Sequence, residues 1–180
     1  MKFHKLAIIL TLVPVLFACT SQPPPARSEQ PKERKTPPMV PLTLKTAIEE
    51  LRVIKIKIDS GINPKEYRED VTDLVPIVKN AYGDAKVLAA VKSALEGHKL
   101  AVGFLECDRI NGYDELYQCR DKVLQGVFAK YPDIAAQAQA AVAGENLSNI
   151  SAGLDKDALL QAIWEKTGTD TEAALQASKP

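Results

Sequence analysis

Few side chains in this 180-residue sequence could do chemistry: Cys19, Cys107, Cys119, His4, His98, Trp164 and a scatter of carboxylates. Cys107 and Cys119 flank the segment Ile110–Tyr113 by about one helical turn on each side. Two helices folding back there would bring the thiols within disulfide reach, and closing a loop of about a dozen residues stabilises by ~3 kcal/mol in the chain-entropy model. The pair lacks the C-x-x-C spacing of redox and zinc sites and has no paired histidines nearby, so a structural disulfide is the expectation. Setting Gly112 on the invariant glycine of a calcium loop puts Cys107, Arg109 and Gln118 at ligand positions that need carboxylates, which excludes that reading. Glu66, Glu69, Asp70 and Asp73 cluster on one predicted helix, but Lys65 and Arg68 interleave with them, and acids near a helix N-terminus suit its dipole. His98 falls on an apolar stripe and reads as a core or boundary histidine; a catalytic role needs a partner that spacing cannot reveal. Trp164 reads as a core anchor, with a binding residue as the alternative. Nucleophile-elbow, H-E-x-x-H, phosphate-loop and dinucleotide-loop motifs are all missing from the sequence. No metal or cofactor is called for.

Cys19 stands apart from the rest. Lys2 and Lys5 open the chain, and Leu6–Ala18 is an apolar run interrupted only by Thr11 and Pro14. As a helix it reaches about 20 Å, short of the ~30 Å hydrocarbon core, so it reads as an export signal over residues 1–18. Its end, Leu16-Phe17-Ala18-Cys19, resembles the lipobox of bacterial lipoproteins, with Phe17 bulkier than the usual small residue. That resemblance implies cleavage before Cys19, diacylglyceryl attachment to its thiol and acylation (commonly palmitate) of its amine. Thr20 follows in place of the aspartate that retains such proteins in the inner membrane, so the resemblance implies an outer-membrane anchor facing the periplasm. Two or three acyl chains give stable attachment where one is marginal. With Cys19 acylated, Cys107 and Cys119 remain as an even pair in an oxidising compartment.

Composition bounds the remainder. Loss of Lys2 and Lys5 takes two from 23 basic side chains set against 23 acidic ones, a net of about −2. That is no field for nucleic acid. Apolar residues make up 46% and aromatics only 6%, which favours helices built on Ala, Leu, Val and Ile over a β-sandwich. Residues 19–41 hold Cys19 and a tether with Pro23, Pro24, Pro25, Pro31, Pro37, Pro38 and Pro41 among polar residues. Such a segment cannot bury enough apolar surface to fold and extends as polyproline II.

The elements that must position these residues follow from periodicity. Leu44, Ile48, Leu51, Ile54 and Ile58 predict a helix over about 42–60, stopped by Gly61. Asn63-Pro64-Lys65-Glu66 is a helix start, and Tyr67, Val71, Leu74, Val75, Val78 and Tyr82 continue it, with a kink or break expected at Pro76. A third helix is predicted from Ala85 to Ile110 on Leu88, Val91, Leu95, His98, Val102 and Leu105, and a fourth from Asp114 to Lys130 on Leu116, Val123, Val127 and Phe128. An alanine-rich fifth follows to about Ala143. Residues 145–154 read as a loop. Asp155 caps a last helix to Gly168, and 169–180 reads as a flexible tail. Residues 111–133 resemble the second helix and closing proline of a tetratricopeptide repeat; a solenoid needs about three copies and one is present, so they read as a simple helical hairpin.

The expectation is therefore an all-α, irregular bundle of five to six helices over 42–168, tethered to a membrane through Cys19. Its expected role is to bind or scaffold another envelope protein without catalysis. The alternatives are a cell-wall hydrolase using carboxylates such as Glu66, Asp70 or Glu106, and a small-ligand or lipid carrier with a cavity between helices.

Overall fold

A computed structural model describes residues 40–142 and 146–179. The export signal, Cys19 and the tether as far as Met39 lie outside the described residues. Within them every regular element is an α-helix: α1 Leu42–Asp59, α2 Pro64–Lys79, α3 Ala85–Cys107, α4 Tyr113–Lys130, α5 Pro132–Ala141, α6 Leu147–Gly153 and α7 Lys156–Ala177. None is long and apolar enough to cross a membrane.

Local chemistry sets the boundaries. Gly61 takes φ +87°, the left-handed turn that ends α1. Asn63 then caps α2, its side-chain oxygen accepting from the Glu66 N–H at 2.9 Å while its amide donates to the Glu66 carboxylate. Asp84, Asn146 and Asp155 cap α3, α6 and α7 in the same way. The break expected at Pro76 does not occur, and α2 continues to Lys79. Pro76 sits on the exposed face, where water can satisfy the Thr72 carbonyl left without its helical donor. Tyr82, expected on the buried face, is exposed, as is Val75 in part.

Three corrections concern the C-terminal third. There are seven helices among the described residues rather than five or six. The segment read as a loop holds α6, whose Ile150 and Ser151 are buried and whose Ser148 hydroxyl donates to Asp121 of α4. The segment read as a flexible tail is the second half of α7, with Thr171 and Ala174 fully buried. The polar threonines there are satisfied internally: Thr167 and Thr171 donate to the carbonyls of Trp164 and Thr167.

Helix α3 is the hub. It contacts α1, α2, α4 and, most extensively, α7. Its buried stripe is rotated toward small residues relative to the expected one: Val87, Val91, Ala94, Gly97, His98, Ala101, Phe104 and Cys107 are buried, while Leu88, Leu95, Val102 and Leu105 are only partly so. The buried residues of α7 are also mostly small, with Thr167, Thr171 and Ala174 beside Ile163. Small residues on both sides let two helix backbones approach closely. A Cβ on Gly97 would collide with the Tyr131 hydroxyl and the Thr167 methyl.

Candidate functional site

A cavity of about 720 Å³ opens between α1, α3 and α7. Helix α1 contributes Lys55, Ile58 and Asp59, α3 contributes His98, and α7 contributes Gln161, Trp164, Glu165, Thr167, Gly168, Thr169 and Glu172. Helical spacing explains the α7 contribution: Gln161, Glu165, Gly168 and Glu172 recur every three or four residues and share one face. The volume lies in the range of small-molecule sites.

His98 is only 1% exposed. Its Nδ1 lies 2.9 Å from the Tyr67 hydroxyl, which also reaches the His98 carbonyl at 3.4 Å. Two arrangements fit these contacts: the Tyr67 hydroxyl donates to Nδ1, or Nδ1–H donates to the Tyr67 oxygen while the hydroxyl donates to the carbonyl. In the second arrangement Nε2 carries a bare lone pair, and in the first it carries the proton. Nε2 is buried and has no hydrogen-bond partner. Burial lowers the His98 pKa from 6.5 to about 4, so the ring is neutral near pH 7. Burial likewise holds the Tyr67 hydroxyl protonated, well above its usual range.

Tyr67 stands edge-on to His98 and to Trp164, each with ring centroids 5.8 Å apart. The Trp164 N–H lies near enough to the Tyr67 oxygen to favour its anion slightly, yet outside hydrogen-bonding geometry, so that N–H is buried without a partner. Trp164 is thus partly buried against the core and also lines the cavity, combining the two roles the sequence left open. At the rim, Lys55 donates to Asp59 at 2.7 Å, and this bond raises the lysine pKa against a smaller opposing effect of burial. Glu165 accepts from Gln161 at 3.2 Å. Among the described residues neither Glu165 nor Glu172 is in an ion pair, so the lining carries one cation and three carboxylates.

No family model, curated protein or solved structure matches the chain. The site must be read from its own atoms.

The carboxylates proposed for hydrolysis are all engaged by cations. Glu66 and Asp70 clasp the Lys57 ammonium at 3.0 and 2.9 Å. Glu106 instead accepts from Arg68 at 2.9 Å, with Arg109 at 3.5 Å. No group of three or more metal-ligating side chains occurs among the described residues.

A second polar cluster escaped sequence reasoning altogether. Lys130 donates to the Ser93 hydroxyl at 2.8 Å, and Ser93 donates to Asp170 at 2.7 Å. A serine between a lysine and a carboxylate has the parts of a nucleophile and base. Lys130 also pairs with Glu96 at 3.3 Å, and an ammonium donating to both groups is no base. None of the three residues lines the cavities between the helices. The trio ties α3, α4 and α7 together.

Cys107 and Cys119 stand at disulfide distance, with Cα atoms 5.6 Å apart, across the α3–α4 turn as the spacing required. Beside them Asp108 accepts from Arg120 and Lys156, both at 2.8 Å. Burial pushes the Asp108 pKa up, but these two cations outweigh it and hold the carboxyl below its usual value.

Proposed function

We propose that this chain is a lipid-anchored envelope protein whose helical domain binds another envelope component and does not catalyse. The observation that carries the binding half is the cavity between α1, α3 and α7, with a buried, unpartnered His98 nitrogen at its lining. A buried polar atom without a partner is destabilising by about 1–3 kcal/mol, so such an atom beside an open cavity favours a site that a ligand completes. The candidate acids favour the same reading, since Glu66 and Asp70 are committed to one lysine and Glu106 to two arginines.

The anchoring half rests on Leu16-Phe17-Ala18-Cys19. Cys19→Ser should abolish incorporation of labelled palmitate and leave unprocessed precursor; normal processing of that variant would sink the lipoprotein reading. For binding, a photo-cross-linking residue at Gln161, an exposed position on the cavity rim, should capture one discrete envelope species in intact cells. The same group at exposed Lys79 on α2 should not. Equal capture from both positions, or none from Gln161, counts against the cavity as the binding site.

A further inference from the structure

The charged groups of the cavity are predominantly of one sign. Its lining holds Asp59, Glu165 and Glu172 against the single cation of Lys55, and Lys55 is already bonded to Asp59. Glu165 and Glu172 lie two turns apart on one face of α7; among the described residues neither is in an ion pair, and Glu172 acts on the Lys55 charge only from a longer distance. Between them in the chain sit Gly168, buried, and Thr169, so no bulky side chain separates the two carboxylates along that face. Trp164 adds an aromatic surface to the same lining. The His98 ring, 1% exposed, completes it with an unpartnered Nε2, which is an acceptor when Nδ1–H donates to Tyr67.

Acceptors, unpaired carboxylates and an aromatic face, with a lone pair on a buried ring in that tautomer, describe a receptor for a hydrogen-bond donor that carries positive charge. We infer that this cavity binds an organic cation, an ammonium or guanidinium group, with its N–H directed toward His98 Nε2 and its charge between Glu165 and Glu172. An anion is disfavoured by the three carboxylates, and a bare metal ion by the lack of a three-ligand group among the described residues. The cation is either a free polyamine or the tip of a basic side chain on a partner polypeptide; the chemistry at the cavity is the same. This assignment rests on the cavity being the binding site of the domain.

Trp164 is the only tryptophan in the chain, so its fluorescence reports on the cavity directly. The full exported protein, titrated with spermidine, Nα-acetyl-arginine amide and the matching citrulline amide, should show saturable change with a cation and none with neutral citrulline. Response to spermidine alone identifies a free amine as the ligand, and response to the arginine amide identifies a basic side chain. The double variant Glu165→Gln/Glu172→Gln, altered only at exposed positions, should weaken binding roughly tenfold or more. In ¹⁵N-histidine spectra the Nε2 resonance of His98 should move on binding, as an acceptor nitrogen does when a donor arrives. Citrulline binding as tightly as arginine, or the double variant binding as tightly as the native chain, overturns the assignment. So does a silent Trp164 with both cations. In these cases cross-linking from Gln161 still decides the broader reading: capture there keeps the binding function and discards the cation, and no capture discards both.

Discussion

At the scale of single residues, His98 sets a pH dependence with a definite sign. Its pKa falls from 6.5 unfolded to about 4 folded, through burial alone. Between those values the unfolded chain binds the proton and the native chain does not, so stability is full above about pH 6.5 and is lost as pH falls toward 4. The shift corresponds to at most about 3 kcal/mol. Urea denaturation from pH 7 to pH 5, a range in which ordinary carboxylates stay ionised, should show falling stability, and His98→Gln should be less stable at pH 7 yet flatter across that range. An unchanged slope in the variant would show that His98 is not the group responsible. Gly97 gives the second residue-scale expectation. Alanine is favoured over glycine in a helix interior by about 1 kcal/mol, but here its methyl meets Tyr131 and Thr167. Overpacking of this kind is destabilising by roughly 1–3 kcal/mol, so Gly97→Ala should lower the thermal midpoint despite its better propensity.

At the scale of elements, the α3–α4 hairpin is held by Cys107 and Cys119 across a separation of 12 residues, and by Asp108 through its bonds to Arg120 and Lys156. Replacing both cysteines by serine should destabilise by about 3 kcal/mol in the chain-entropy model, and reductant should then have no further effect on the variant. Reductant that leaves the native chain's stability untouched would argue against a bond between them. The helices that sequence reveals well are those with branched apolar stripes and strong caps: α1 from its leucines and isoleucines, α2 from Asn63-Pro64, the start of α7 from Asp155. What stays hidden is helical structure made from poor helix formers. Thr167, Gly168, Thr169 and Thr171 read as a chain terminus unwinding, whereas they continue α7, with Thr167 set against Gly97 of α3 and Gly168 facing Lys55 of α1. Helix α6 hides similarly behind serines and asparagines, its signal reduced to the Asn146 cap and the spacing of Leu147 and Ile150. For the site, burial of His98 was legible from periodicity. Its Tyr67 partner, 31 positions away, was not, because packing of α2 on α3 creates that contact.

At the scale of the whole molecule, the domain is a hub helix with its neighbours arranged around it, and its final helix carries a large part of the core. Truncation after Gly168 removes Thr171 and Ala174, both fully buried, together with Asp170, which bonds Ser93. The shortened chain should lose several kcal/mol, by analogy with large core deletions, and unfold with reduced cooperativity by calorimetry. A truncated domain as stable as the native one would make residues 169–179 dispensable after all. The close seam between α3 and α7 has a temporal meaning as well. Its bonded pair Ser93 and Asp170 lies 77 residues apart, so the principal interface cannot close until Asp170 has been made. Closure of this seam therefore follows synthesis of α7, whatever the order in which the other helices pack.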